Sequence, residues 1–201
     1  MASVYDLKPA FQGLLRPLVG GMAKIGVTAN QVTVGAMLLS MLAGGLIAIN
    51  PAEQWPLLLV PVVLFVRMAL NAIDGMLARE FDMQSALGGF LNELGDVVSD
   101  IFLYLPFALL AGVSAPLVIL IVLFAVISEM TGVVAVQVGA SRRYDGPMGK
   151  SDRAFIFGAL ALALGLGVVS GLWLNILLGT VLLLLLLTIA NRMKRALREL
   201  E

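Results

Sequence analysis

The chain has no cysteine and no histidine among its 201 residues, and only 13% of them are charged. Each shortage excludes something. Without thiols or imidazoles there is no disulfide framework, no thiolate or imidazole catalysis and no ordinary zinc site. Thirteen Lys+Arg set against 13 Asp+Glu exclude a nucleic-acid binder that works by bulk positive charge. The chemistry left to the chain is that of carboxylates, amides, hydroxyls, basic groups or a hard metal ion. Hydrophobic residues are what it has in excess, at 60% with a mean hydropathy of +1.01. A soluble domain carries roughly 45–50% apolar residues, so the composition is that of a membrane protein and not of a disordered chain.

Apolar stretches near 20 residues long read as transmembrane helices. Six are expected, over roughly 31–50, 56–79, 88–112, 115–137, 154–171 and 173–191. Lys8, Arg16 and Lys24 precede the first span, and Arg79 follows the second. Arg142, Arg143, Lys150 and Arg153 lie between the fourth and fifth, and Arg192, Lys194, Arg195 and Arg198 follow the sixth. The opposite loops, around Asn50–Gln54, Gly112–Ser114 and Gly171–Leu172, carry no Lys or Arg. The positive-inside rule therefore puts both termini and the basic loops in the cytosol. Trp55 and Trp173 begin spans on the other side, where an interfacial aromatic belt belongs. Before the first span, Phe11, Leu14, Leu15, Leu18 and Met22 follow helical spacing, with Lys8, Gln12 and Arg16 around them. That pattern predicts an amphipathic helix lying along the headgroups. No repeat, low-complexity tract or domain boundary interrupts the chain, so 1–201 reads as one all-α membrane domain.

Polar side chains inside spans are costly and rare, which makes each a functional candidate. Here they concentrate at the cytosolic ends of spans two and three. Asn71, Asp74, Gly75 and Ala78 are three and four apart, and Gly88, Asn92, Asp96 and Asp100 step by four, so each set shares a helix face. A short turn near 80–87 makes the two helices antiparallel neighbours. Asn71, Asp74, Asn92 and Asp96 then offer hard oxygen ligands of the kind Mg²⁺ or Mn²⁺ takes. Gly75, Ala78 and Gly88 remove bulk where a substrate would approach the backbone. Gly and Ala at this spacing also serve plain helix packing, but packing does not require the carboxylates.

These residues spell N-x2-D-G-x2-A-R-x8-G-x3-N-x3-D over 71–96. The spacing resembles that of the CDP-alcohol phosphatidyltransferases, whose pattern is D-x2-D-G-x2-A-R-x8-G-x3-D-x3-D, and the likeness points to a bacterial inner-membrane branch of that family. The resemblance implies an enzyme that moves a phosphatidyl group from a CDP-linked lipid, such as CDP-diacylglycerol, to an alcohol hydroxyl and releases CMP. It implies Mg²⁺ or Mn²⁺ held at Asn71, Asp74, Asn92 and Asp96, with Asp96 as the general base. It implies a nucleotide site at Gly75, Ala78, Arg79 and Gly88, joined by Asn30 and Thr33 from an Asn-x-x-Thr entry to the first span. Acceptor binding falls to Lys150 and Arg153, beside a Gly-Pro-Met-Gly turn, with either a polyol or an alcohol phosphate as acceptor. A homodimer in the bilayer is implied too, and no nucleic acid.

Two of the four acidic positions of the pattern are amides here, Asn71 and Asn92, so the set carries two negative charges in place of four. Weaker metal binding, by one ion, is the expectation. Three readings follow: an enzyme with altered metal coordination, a degenerate member that binds CDP-lipid or partner proteins without turnover, and a carrier using intramembrane Asp and Arg. The motif favours the first, and the carrier lacks the paired broken helices common in transporters. Arg67 sits one turn before Asn71, deeper in span two, and a buried Arg wants a carboxylate; Glu129 and Asp100 are the expected partners. Thr28 or Asn30 is expected to cap the first span.

Overall fold

A computed structural model describes residues 4–201, with side chains from residue 11 onward. Seven α-helices make up the described chain: α1 (Val4–Lys24), α2 (Ala29–Ile49), α3 (Trp55–Glu80), α4 (Ala86–Tyr104), α5 (Ala115–Gln137), α6 (Lys150–Gly165) and α7 (Leu172–Leu200). A short 3-10 helix, Leu105–Leu109, follows α4. No strand occurs among the described residues. Four helices, α2, α3, α5 and α7, are long and apolar enough to cross a membrane.

The other two expected spans differ from the reading of the sequence in instructive ways. The stretch expected as one helix over 88–112 stops being α-helical at Tyr104. Pro106 lacks an N–H and disfavours α-geometry in the residue before it, so the chain tightens into the 3-10 turn. α4 also carries Glu93, Asp96 and Asp100, which lower its hydropathy. The fifth stretch starts at Lys150, four residues early, and ends at Gly165, with Gly167 in the left-handed region at φ +89°. At 16 residues α6 is about 24 Å long. α7 runs nine residues past the expected end at 191, so Arg192, Lys194, Arg195 and Arg198 lie on its last turns.

The chain divides into two compact units. The first comprises Met1–Leu42 and Val62–Ser99. Its core is Val19 of α1, Ala29 and Val32 of α2, and Ile73, Met76 and Leu77 of α3. Leu15 and Met22 pack against that core, whereas Leu14 and Leu18 stay exposed. The apolar residues of α1 thus divide between an inward row, including the fully buried Val19 that the spacing argument omitted, and an outward row. Thr28 is the residue that caps α2. Its hydroxyl accepts from the Gln31 N–H at 3.3 Å, and Gln31 Oε1 accepts from the Thr28 N–H at 3.0 Å. This is a reciprocal capping box, and it leaves the Asn30 side chain for other work. Ser85 caps α4 with a single bond, its Oγ accepting from the Gly88 N–H at 3.0 Å.

The second unit comprises Ala43–Pro61 and Asp100–Glu201. Tyr104 stacks on Phe157 with centroids 4.3 Å apart, and Phe107 meets the same ring edge-on at 5.2 Å. Ala135, Ala140 and Ala196 pack as a small-residue cluster between α5, the turn after it and α7. The loop 141–149 is fastened to α7 by charge. Asp145 pairs with Arg143 at 2.7 Å and Arg195 at 2.6 Å, and Arg143 also reaches Glu199 at 2.6 Å. The Met148 N–H donates to Thr188 Oγ1 at 2.9 Å. Gly146, at φ +125°, lies directly against Thr188.

Two outcomes follow for this loop. A Cβ at Gly146 would collide with the Cα of Thr188 in a backbone conformation that L-residues avoid, so Gly146→Ala is expected to cost about 1–3 kcal/mol, measured as a lowered unfolding temperature in detergent. Partial burial pushes the Asp145 carboxyl up, but Arg143 and then Arg195 outweigh it and hold the group below the usual carboxylate range. A depressed carboxylate contributes stability that is present above its unfolded pKa and lost as pH falls through the folded one. Thermal stability should therefore decline on acidification below about pH 4, and Asp145→Asn should flatten that decline.

Candidate functional site

The site is built on the facing ends of α2, α3 and α4 within the first unit. α3 presents Arg67, Asn71, Asp74 and Ala78 at successive turns, and α4 presents Gly88, Asn92 and Asp96 the same way. The turn between them contains Asp82 at φ +53°, an unusual conformation for a residue with a Cβ, which reverses the chain within 81–85.

A cavity of about 320 Å³ opens where these elements meet. Asp74, Gly75, Ala78 and Arg79 of α3, Ala29, Asn30 and Thr33 of α2, Met83–Ser85 of the turn, and Gly88, Gly89 and Asn92 of α4 line it. All six positions that the resemblance assigned to a nucleotide, namely Asn30, Thr33, Gly75, Ala78, Arg79 and Gly88, are therefore in one place. Of the four assigned to metal, Asp74 and Asn92 line the cavity. Asn71 and Asp96 are not among its lining residues. Met83, Gln84 and Ser85 line it without having been expected; the signal that could have found Ser85 is its place as a cap one residue before an apolar helical pattern.

The glycines permit close approach. A Cβ at Gly75 would stand 2.8 Å from Nη2 of Arg79, so the guanidinium lies back along α3 over the missing side chain. A Cβ at Gly88 would stand 2.9 Å from Asn30 Oδ1 and 3.1 Å from Ser85 Oγ. Asp74 is buried, and Thr33 Oγ1 donates to its Oδ2 at 2.8 Å. The first turns of α2 and α4 contribute to the lining beside Arg79. Helix N-termini and a guanidinium attract anions, while Asp74 and Asn92 in the same lining attract a cation. That combination suits an anionic diphosphate carrying a divalent ion.

Asp96 stands beside this cavity in a different set of contacts. Arg67 Nη2 donates to Asp96 Oδ1 at 3.3 Å and to the Asp96 carbonyl at 3.1 Å, and Asn71 Nδ2 donates to the same Oδ1 at 3.4 Å. The Arg67 side chain is 4% exposed and that of Asp96 is 28% exposed. Asp96, one turn from the site, is thus a carboxylate partner of Arg67 in addition to those the sequence suggested. Arg67 and Asp96 face each other across two adjacent antiparallel helices.

Among the described residues no three Asp, Glu, His or Cys side chains converge to hold a metal ion. The oxygen donors that line the cavity are the Asp74 carboxylate and the Asn92 amide, both hard ligands that fit a divalent cation whose remaining ligands come from a phosphate or water.

Arg153, expected at an acceptor site, lies in the second unit and is 1% exposed. Its Nη2 bonds Asp100 Oδ2 at 2.9 Å and Glu129 Oε1 at 3.1 Å. Glu129 also pairs with Arg142 at 3.3 Å and Arg192 at 3.4 Å. Lys150 is the first residue of α6, where the Gly149 N–H is capped by Asp152 Oδ2 at 2.9 Å. The carboxylates of this network, the buried Asp100 and the partly buried Glu129, were singled out from the sequence, but which arginines they bind was not legible there.

Comparison with known proteins places this geometry. Residues 26–192 match the family model for CDP-alcohol phosphatidyltransferase. The chain is 47% identical over 195 residues to the inner membrane protein YnbA of Escherichia coli (strain K12), covering 97% of this chain and 96% of that one. It is 31% identical over 94 residues to the archaetidylinositol phosphate synthase of Pyrococcus horikoshii, 47% of each chain. Its fold is shared with Mycobacterium tuberculosis phosphatidylinositol phosphate synthase (PgsA1), solved with CDP-DAG bound, at a TM-score of 0.71 and 19% identity over 90% of this chain and 92% of that one. The same enzyme in complex with manganese and citrate aligns at the same TM-score, over 90% and 87% of the two chains. The chain carrying the 71–96 motif belongs to the CDP-alcohol phosphatidyltransferase family.

Proposed function

We propose that this protein transfers the phosphatidyl group of a CDP-linked lipid, CDP-diacylglycerol being the first choice, to an alcohol hydroxyl and releases CMP. One observation carries the reading: six residues expected at the nucleotide from the motif line a single cavity with Asp74 and Asn92. The CDP-DAG bound in the PgsA1 crystal structure supports the choice of donor.

The chain's residues divide the work as follows. The first turns of α2 and α4 and the Arg79 guanidinium receive the diphosphate. Gly75 and Gly88 let it approach the backbone. Asp74, Asn92 and Asp96 would hold one Mg²⁺ or Mn²⁺, which when bound neutralises charge that builds on the leaving CMP. Asp96 takes the proton of the acceptor hydroxyl. The hydroxyl oxygen bonds to the phosphorus that bears the lipid, the bond from that phosphorus to the bridging pyrophosphate oxygen breaks, and CMP leaves with the electron pair. Lys150 is the acceptor-side residue. Arg153 is assigned to the acceptor with it, its guanidinium held in place by Asp100 and Glu129. Either a polyol or an alcohol phosphate fits this scheme.

The cellular setting belongs to the same proposal. The Lys/Arg distribution supports six spans with both termini and the site on the cytosolic side of the bacterial inner membrane, and the name of the E. coli relative agrees. The exposed Leu14 and Leu18 support α1 as a helix lying in the headgroups. The family match, running through both compact units, supports one domain, and we take the working form to be a homodimer.

A second reading, a family member that binds CDP-lipid without turnover, is favoured by one observation, the absence among the described residues of three converging acidic side chains. The deciding experiment is CMP release from CDP-diacylglycerol by purified protein with Mg²⁺ or Mn²⁺, against polyols and alcohol phosphates. Acceptor-dependent release that Asp96→Asn lowers by about 100-fold or more is expected. CDP-lipid binding with no release for any acceptor would favour the second reading. Asn92→Asp adds a charged ligand in the cavity and should tighten Mn²⁺ binding by about tenfold; unchanged affinity would remove Asn92 from the coordination set.

A further inference from the structure

We propose that Arg67 and Asn71 are positioning residues for Asp96, and that Asn71 acts as a hydrogen-bond donor to that carboxylate and not as a metal ligand. The proposal deepens the reading of Asp96 as proton acceptor and rests on it.

Four observations converge on it. Arg67, deep in α3 and 4% exposed, grips Asp96 twice, through the carboxylate Oδ1 and through the main-chain carbonyl of the same residue. Two bonds to one residue fix the side chain relative to its own backbone, which a single ion pair does not. Asn71, one turn along the same face of α3, delivers a second donor to the same oxygen. Its neighbour on that face, Asp74, turns into the cavity with Asn92, whereas Asn71 is not among the cavity's lining residues. The burial is asymmetric as well: the cation is enclosed and the carboxylate is partly open. An enclosed cation bonded to a partly open carboxylate is the arrangement of a rigid support under a working group.

The chemistry of the amide explains why it is there. An aspartate at position 71 would set a second carboxylate about 3.4 Å from Asp96 Oδ1. Two negative charges would then compete for one guanidinium in a poorly solvated place. The amide is neutral and carries N–H donors, so it adds a bond to Asp96 without adding a negative charge beside it. The asparagine of the motif is then a change of role at that position and not a weakened ligand.

The test uses the full chain in detergent and has three readouts. Mn²⁺ binding is followed by the EPR signal of the free ion. Asn71→Leu should leave the Mn²⁺ dissociation constant within about twofold, while Asp74→Asn should raise it about tenfold or more. A rise with Asn71→Leu as large as that with Asp74→Asn would overturn the proposal. In the CMP-release assay, Asn71→Leu and Arg67→Gln should lower kcat about tenfold to 100-fold with the donor KM nearly unchanged, and Arg67→Lys should recover part of the loss. A loss confined to KM overturns positioning. Unfolding temperatures of Arg67→Gln, Asp96→Asn and the double variant form a cycle that needs no turnover. The double variant should unfold no earlier than the worse single one; additive shifts mean that the pair is uncoupled and the proposal fails. A parent protein that releases no CMP, or takes up no Mn²⁺, defeats the proposed enzyme or its metal dependence, and the cycle still decides the clamp.

Discussion

A charge placed among apolar helices has to meet its counter-charge within the protein, because lipid offers none. That constraint organises both compact units. In the first, Arg67 and Asp96 lock α3 to α4 at 3.3 Å. In the second, Glu129 gathers Arg142, Arg153 and Arg192, and Asp100 shares Arg153 at 2.9 Å. Removing one partner of such a buried pair leaves the other uncompensated and typically costs about 3–5 kcal/mol. Charges that look like isolated functional candidates in the sequence are therefore also what fixes the helices against each other.

The same constraint separates two kinds of polar residue in the motif. Asp74, Asn92, Asn30 and Arg79 line one cavity. Asp96, held by Arg67 and Asn71, is addressed from within the helix pair. Local capping assists this division. Thr28 and Gln31 satisfy the start of α2 between themselves, so Asn30 is available to the cavity and stands close above Gly88. Ser85 caps α4 and contributes its own side chain to the lining. A helix terminus that is already capped can still receive an anion through its dipole and its remaining N–H groups.

Much of the site was legible before any coordinates. Helical spacing put Asn71, Asp74 and Ala78 on one face and Gly88, Asn92 and Asp96 on another, and those faces do meet. Asp96 as a partner of Arg67 was not foreseen, because spacing along one helix says nothing about which carboxylates on a neighbour lie within reach. Helix length was wrong for 88–112 and 154–171, because hydropathy continues past Pro106 and Gly165 while backbone geometry does not.

By itself the sequence determined the all-helical class, the clustering of Lys and Arg in alternate connections, the family motif and its two amide departures. These depend on composition and on separations of three and four residues, which local helix geometry turns directly into faces. Tertiary structure alone decided that Thr28 and not Asn30 caps α2, that Asp96 takes Arg67, that Asn71 turns its amide to Asp96 while Asp74 turns to the cavity, and that Arg153 is enclosed by Asp100 and Glu129. Each is a choice among several chemically equivalent partners, and only the distances set by helix packing distinguish them.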